Sequence, residues 1–163
     1  LVHYEGVAWN RKYDYITDME SRMYAKPADI EAYLTDNPKK PYISCEYMHA
    51  MGNSVGGMKL YTDLEEKYDG YQGGFIWDFV DQALYWSVDP SKYGTDHVFV
   101  FGGDFNDYDP SDNSFCCNGI IAADRSLHPH AYEVAYQYRN IHTSGAGAWN
   151  KVSVYNENFF IDL

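Results

Sequence analysis

Basic side chains are scarce. Twelve lysines and arginines stand against 24 aspartates and glutamates, giving a formal charge of −12 and a pI near 4.7. A surface of that sign repels phosphate, which argues against nucleic acid as a partner. Long apolar runs are missing as well. No stretch approaches the ~18 residues that a membrane span needs, and no basic-plus-apolar leader opens the chain, so a soluble protein without membrane contacts is expected. Cysteine is limited to Cys45, Cys116 and Cys117. An odd set with two adjacent members is a poor disulfide framework and points to a reducing, cytoplasmic setting. What the chain has in excess is aromatic surface: Phe, Trp and Tyr make up 18% of it, 17 of them tyrosines, so a hydrophobic fraction of 45% coexists with a mean hydropathy of −0.52. That aromatic content excludes disorder.

The length of 163 residues is that of one ordinary domain, yet both ends read as cut. Residue 1 is Leu, LVHYEG begins at once on strand-like residues, and KVSVYNENFFIDL stops inside a second strand of a new unit. A piece of a longer polypeptide is expected. Between the ends, four strand-like runs, LVHYEG, DYITDMESRMY, PYISCEY and YQGGFIWDFV, alternate with polar or helical stretches. In KPADIEAYLTDNPKK, Pro27 suits a first helical turn, Ala28, Ile30, Ala32, Tyr33 and Leu34 give a helical spacing, and Asn37-Pro38 stops it. In GGMKLYTDLEEKYDG, Met58, Tyr61, Leu64 and Tyr68 mark one buried helix face.

Strands alternating with helices predict parallel βα units. At roughly 35 residues per unit the chain holds four, whereas a closed eight-unit barrel takes about 250 residues, so half a barrel fits. A doubly wound nucleotide-binding sheet would want a GxGxxG turn, and the chain has none. From Tyr85 to Arg125 the sequence reads as a long irregular, aromatic-rich and therefore ordered loop. HPHAYEVAYQYRNIH then predicts a helix with Ala131, Val134, Ala135 and Tyr138 on one face. Gly145 and Gly147 read as a short linker, and Lys151 to Leu163 as the start of a β-rich module.

Glu46 is the first candidate for chemistry. Along PYISCEY, strand alternation puts Ser44 and Glu46 on one face and Ile43 and Cys45 on the other, presenting a carboxylate at the C-terminal end of a strand, where barrel enzymes keep their reactive groups. By itself such a Glu is more often paired or solvated. Here an imidazole, a glycine turn and an amide follow at once in EYMHAMGN.

CEYMHAMGNSVGGM, YQGGFIWDFVDQAL, GGDFNDYDPSDNSFCCNGIIAADR and the earlier DMESRMY closely resemble, in order and spacing, the catalytic barrel of the glycoside hydrolase family 2 β-galactosidases. The resemblance runs from about Tyr4 to Ile141 and into the start of the β-sandwich that follows the barrel in that family. It implies an α/β fold in which residues 1–143 are the C-terminal half of a (β/α)8 TIM barrel, strands five to eight, with LVHYEG as the fifth. Residues 144–163 are then the linker and first strands of the sandwich.

The resemblance also implies roles. Glu46 becomes the catalytic nucleophile of a retaining β-galactosidase acting on terminal β-D-galactosides such as lactose, by hydrolysis and transglycosylation. The chemistry asks for a carboxylate that attacks the anomeric carbon and then leaves. Its acid/base partner, roughly 5–5.5 Å away, belongs to an Asn-Glu pair upstream of Leu1. Asn156-Glu157, in the next module, is not that pair. Tyr24 becomes the phenol that holds the nucleophile, and Glu20 and Arg22, sharing its strand parity, an ion pair in the barrel lumen. His49 binds sugar hydroxyls, and Trp77 forms the floor of the sugar subsite. Asp78 and Asp81 fix the loop after it. The Phe115 carbonyl and the Asn118 side-chain oxygen become ligands of a Na+ that meets a sugar hydroxyl, while Cys116 and Cys117 stay thiols because they lack zinc spacing.

The ligands of the family's Mg2+ fall upstream of Leu1. The partners implied are the galactoside and the remainder of the same enzyme, oligomeric when complete. Rival readings are another family 2 activity, β-glucuronidase or β-mannosidase, or an inert carbohydrate-binding fragment. HAMGN after the nucleophile fits galactosidases better. One local expectation is directly checkable in coordinates: the resemblance predicts a cis peptide bond between Trp77 and Asp78, and a Cα–Cα distance near 3.8 Å there would overturn it.

Overall fold

The computed structural model describes residues 1–163. Its central element is a three-stranded parallel sheet in the order β1 (Glu20–Met23), β2 (Tyr42–Tyr47), β3 (Tyr71–Ile76). Helix α1 (Pro27–Thr35) joins the first pair and α2 (Lys59–Lys67) the second. The parallel α/β arrangement read from the sequence is present. Pro27 opens α1, where its missing N–H costs nothing, and Asn37, at φ 49°, turns the chain just beyond the helix.

Both helices lie on one face of the sheet. Ile30 and Leu34 of α1 and Leu64 of α2 bury against Tyr42 and Tyr71, while Tyr33, Tyr61 and Tyr68 close the rim. A second cluster joins Tyr47, Ala50, Val55 and Met58 to Val134 of the last helix, α4 (Pro129–Gln137). The opposite face of the sheet carries no helix. There His3 stacks on Phe75, which is 58% exposed, and its Nε2 lies 2.8 Å from Ser21 Oγ.

Three parallel strands form, not four. LVHYEG does not enter the sheet; residues 5–8 make a 3-10 turn, and a second one spans Arg11–Ile16. The reason lies in Thr17 and Asp18. The Val2 amide donates to Asp18 Oδ2 at 2.7 Å, Thr17 Oγ1 donates to the Val2 carbonyl at 3.2 Å, and the Tyr4 amide donates to the same hydroxyl at 3.3 Å. The Val2 carbonyl also accepts from the Asp18 amide at 2.8 Å, so one backbone bond joins the segments while the Asp18 and Thr17 side chains take the Val2 and Tyr4 amides that a ladder would have used.

The stretch expected to be irregular after Tyr85 contains a hairpin. Strand β4 (Leu84–Ser87) pairs antiparallel with β5 (His97–Val100) around the one-turn helix α3 (Pro90–Tyr93), which Gly94 ends at φ 71°. Leu84, Tyr85 and Trp86 pair with Val100, Phe99 and Val98, residues with strand preference that a reading fixed on loop composition overlooks. Gly145 and Gly147 are not a free linker. Gly145 ends β6 (Ile141–Gly145), which pairs antiparallel with β7 (Val152–Asn156), and Gly147 sits in the turn at φ 77°. Helix α4 forms where predicted, but its buried face is His130, Ala131 and Val134. Ala135 is exposed because the core lies toward the loop after β2. No helix is long and apolar enough to cross a membrane. The three cysteines are free thiols, and burial pushes Cys45 and Cys117 up.

The packing of Ile30 under β2 gives a direct test. It is fully buried, and Ile30→Ala removes three heavy atoms from a cluster that cannot close over the space. Unfolding free energy should fall by ~2–5 kcal/mol, read as a lower denaturant midpoint at unchanged slope.

Candidate functional site

Strand alternation breaks twice at the C-terminal end of the sheet, and both breaks serve the same pair of side chains. Arg22 pairs with Ser44 but Met23 with Glu46, and Ser44 pairs with Gly74 but Tyr47 with Ile76. Strand β2 therefore carries a bulge at Cys45–Glu46. Tyr42 and Tyr47 belong to the helix-side clusters. Ser44 lies with them, since a Cβ on Gly74 would meet Ser44 Cβ at 2.8 Å and Tyr47 Cδ1 at 3.0 Å. Glu46 is therefore on the face opposite Ser44, not with it as simple alternation had it. The extra residue in the bulge shifts the parity by one.

On β1 the second break is Tyr24, whose φ of 52° turns it out of the strand. Glu20 and Arg22 do form the expected ion pair, at 2.8 Å, but on the helix side rather than in a lumen. The Arg22 guanidinium lies 5.2 Å from the Tyr33 ring centre and 5.9 Å from that of Tyr42, and Arg11 also binds the Glu20 carboxylate. Arg11 was not singled out by sequence reasoning, since its partner lies nine residues on with no periodicity to link them.

The two breaks bring Tyr24 and Glu46 together. The Tyr24 amide donates to the Glu46 carbonyl at 2.9 Å, and the Tyr24 phenol donates to Glu46 Oε2 at 2.8 Å. His49 follows on the loop after β2, entered through Met48 at φ 52°, with its ring 6.0 Å from that of Tyr24 and 5.8 Å from that of Phe115. Trp77 ends β3. Its amide donates to the Tyr47 carbonyl at 3.2 Å, its carbonyl accepts from the Ala50 amide at 2.7 Å, and the Trp77–Asp78 bond is cis, as expected.

A distant segment completes the site. The Asp78 amide donates to the Asn118 carbonyl at 2.7 Å, and the Ile120 amide donates to the Asp78 carbonyl at 2.9 Å. Asn118 is 2% exposed. Its amide nitrogen donates to the Phe115 carbonyl, while Oδ1 is buried without a partner. Tyr24, Glu46, His49 and Phe115 are thus in side-chain succession, with Trp77 and Asn118 tied in through the backbone.

The loop-fixing reading of Asp78 and Asp81 agrees with the contacts. Gln82 Nε2 donates to Asp78 Oδ2 at 2.9 Å, and Asp81 Oδ1 accepts from the Gly119 amide at 2.7 Å. Sequence reasoning missed His128 and His130, which bind Asp81 Oδ2 and the Gly119 carbonyl, each at 2.8 Å. The only available signal was a histidine on either side of the proline that opens α4.

Two neutral oxygens three residues apart, one of them buried and orphaned, suit a hard monovalent cation. Of the two oxygens that the resemblance assigns to Na+, Asn118 Oδ1 is buried and free to take a cation, while the Phe115 carbonyl accepts from Asn118's own amide nitrogen and would have to be shared. No group of three His, Cys, Asp or Glu side chains is placed to hold a metal ion.

The family described as "Glycosyl hydrolases family 2, TIM barrel domain" matches residues 1–143. Among curated proteins, a beta-galactosidase of Halalkalibacterium halodurans is 59% identical over 162 residues, 99% of this chain and 15% of that protein. A beta-galactosidase of Streptococcus thermophilus is 52% identical over 183 residues, 99% of this chain and 17% of that protein. The beta-galactosidase large subunit of Leuconostoc lactis is 56% identical over 140 residues, 85% of this chain and 22% of that protein. The chain spans between 15% and 22% of the length of these relatives.

The Tyr24–Glu46 bond has a titration signature. Burial first, and then the Glu46 hydrogen bond and negative charge, push the Tyr24 phenol well above its ordinary value of about 10. A phenol whose pKa rises on folding loses its stabilising contribution as pH climbs above that ordinary value. The absorbance difference between the protein and Tyr24→Phe should therefore show Tyr24 ionising late. Glu46→Gln, by removing the charge, should bring that ionisation down.

Proposed function

The chain belongs to the family 2 glycosyl hydrolases, within their TIM barrel domain, and on that premise we propose that it supplies the nucleophile half of a retaining β-galactosidase barrel. One observation carries the reading: a carboxylate, Glu46, held by a phenol, Tyr24, at the C-terminal end of parallel strands, where βα barrels keep their chemistry. In this reading Glu46 attacks the anomeric carbon of a terminal β-D-galactoside such as lactose and is released when water, or an acceptor sugar, displaces the glycosyl ester.

Tyr24 donates to one carboxylate oxygen, Oε2. That bond aims the other oxygen and stabilises the carboxylate when it leaves. His49 takes sugar hydroxyls, Trp77 offers an indole face to the pyranose, and the Phe115 carbonyl and Asn118 Oδ1 hold Na+. When bound, the ion offers a positive contact to a sugar hydroxyl. The activity is proposed as galactosidase rather than glucuronidase or mannosidase because the relatives above are named beta-galactosidases.

The missing partner is the rest of the enzyme. Parallel sheets are normally covered on both faces, and here the second face carries only His3 and its N-terminal segment over Ser21, leaving Phe75 58% exposed, while β1 is an open edge. The remaining barrel strands would cover both and would bring the acid/base carboxylate, with residues 144–163 leading into the following β module.

Four results test the proposal. Mapping the peptide labelled by a 2-fluoro galactoside in the complete enzyme should place the label on Glu46, and a label on any other carboxylate would overturn the assignment. Glu46→Gln should cost several orders of magnitude in turnover, and Tyr24→Phe about 10- to 100-fold, the value of one hydrogen bond to a charged group. The isolated chain should not turn over nitrophenyl galactoside, because it lacks a proton donor worth ~10²–10⁴-fold. Turnover by the isolated chain that Glu46→Gln abolishes would show an acid within these residues.

A further inference from the structure

Asn118 is aimed by its neighbours, not by its own side chain. Its single side-chain hydrogen bond is the short-range one to the Phe115 carbonyl. The residue that follows is gripped on both sides: the Gly119 amide donates to Asp81 Oδ1 at 2.7 Å, and the Gly119 carbonyl accepts from His130 Nε2 at 2.8 Å. Only glycine fits, since a Cβ there would lie 2.2 Å from the Asp81 amide nitrogen and 2.4 Å from the Ile121 carbonyl oxygen.

Asp81 is in turn fixed by its second oxygen, 2.8 Å from His128 Nε2. A carboxylate and a carbonyl can only accept, so both histidines carry their proton on Nε2. The two flank Pro129, the first residue of α4, and their rings lie 5.4 Å apart. Helix α4 packs through Val134 against Tyr47, Ala50, Val55 and Met58, the core under the loop that carries His49. The chain of contacts therefore runs from the loop after β2, through α4, to Gly119 and the buried Asn118 oxygen.

We propose that Asp81, His128 and His130 are positioning residues that set the Asn118 oxygen for its cation and for the sugar, acting through Gly119 and touching neither ligand. The proposal rests on the galactosidase reading for its kinetic consequences, and on the geometry alone for its effect on the cation and on the loop. Since the clamp holds a binding group and stands apart from the Tyr24–Glu46 pair, its loss weakens binding while leaving the rate of bond cleavage at saturation nearly intact.

The test uses the complete enzyme carrying this segment, with Asp81→Ala, His128→Phe and His128→Gln. A glutamine amide can still donate to Asp81, whereas phenylalanine cannot. Sodium chloride is titrated against a potassium background by ²³Na resonance line width, and KM and kcat for nitrophenyl galactoside are measured at saturating sodium. Asp81→Ala and His128→Phe should each raise the half-saturating sodium concentration and KM at least fivefold. Their kcat should change less than threefold, and His128→Gln should stay within threefold of the parent in all three quantities.

A smaller rise in both sodium dependence and KM would overturn the proposal. So would a fall confined to kcat, or a His128→Gln variant no better than His128→Phe. If Asp81→Ala does not fold, the two His128 variants decide the matter. If the parent enzyme shows no galactosidase activity, the functional reading fails by itself. The clamp is then judged by the sodium titration and by exchange of the Gly119 amide, which should be at least fivefold faster in His128→Phe and, if unchanged, refutes it.

Discussion

One extra residue in β2 governs the direction of the carboxylate. Without the bulge at Cys45–Glu46, Glu46 would follow Tyr42 and Ser44 to the helix side and be buried among apolar groups. A lone carboxylate there would be neutralised or would destabilise the fold. The bulge sends it to the open face, where Tyr24 waits at the end of the neighbouring strand. Gly74 makes the bulge possible on its other flank, because Ser44 and Tyr47 crowd the space a side chain would need. Backbone irregularity at the mouth of a sheet thus replaces a polar network in placing the carboxylate.

The second constraint is the pairing of residues 78–81 with 118–121, which brings a segment some forty positions away to the end of β3. Hydrogen bonds from the Asp78, Asp81, Ile120 and Ile121 amides join the two stretches, and Val80 and Ile121 form a bridge between them. The hairpin of β4 and β5 is looped out between them. Its length can vary without moving Asn118, since the closing contacts are local to its base.

Much of this was legible in the residues. Helices α1 and α2 announced themselves through Pro27, Ile30 and Leu34 and through Met58, Tyr61 and Leu64, because tertiary packing used the same faces that the periodicity marked. Glu46 stood out first by its place at a strand end, Tyr24, Trp77 and Asn118 through motif resemblance, and the structure gathers them. Parity, however, grouped Glu46 with Ser44 and Tyr24 with Glu20 and Arg22, and neither grouping holds, since neither a bulge nor a left-handed strand end leaves a mark in a period-two pattern. LVHYEG looked like a strand on composition alone, and Thr17 and Asp18 diverted its backbone through contacts that only the fold creates. His128 and His130 were invisible for the same reason: their partners are 47 and 11 residues away.

The left-handed backbone at Tyr24 has an evolutionary corollary. A non-glycine residue in that region costs of order 1–2 kcal/mol, and an aromatic one gains nothing locally to offset it. Glycine or asparagine at the same position would relax the chain while deleting the phenol that Glu46 leans on. Drift toward greater stability and retention of the Tyr24–Glu46 hydrogen bond therefore pull this codon in opposite directions. A descendant in which that bond no longer mattered would lose the tyrosine here sooner than it would lose the buried Tyr42 or Tyr47.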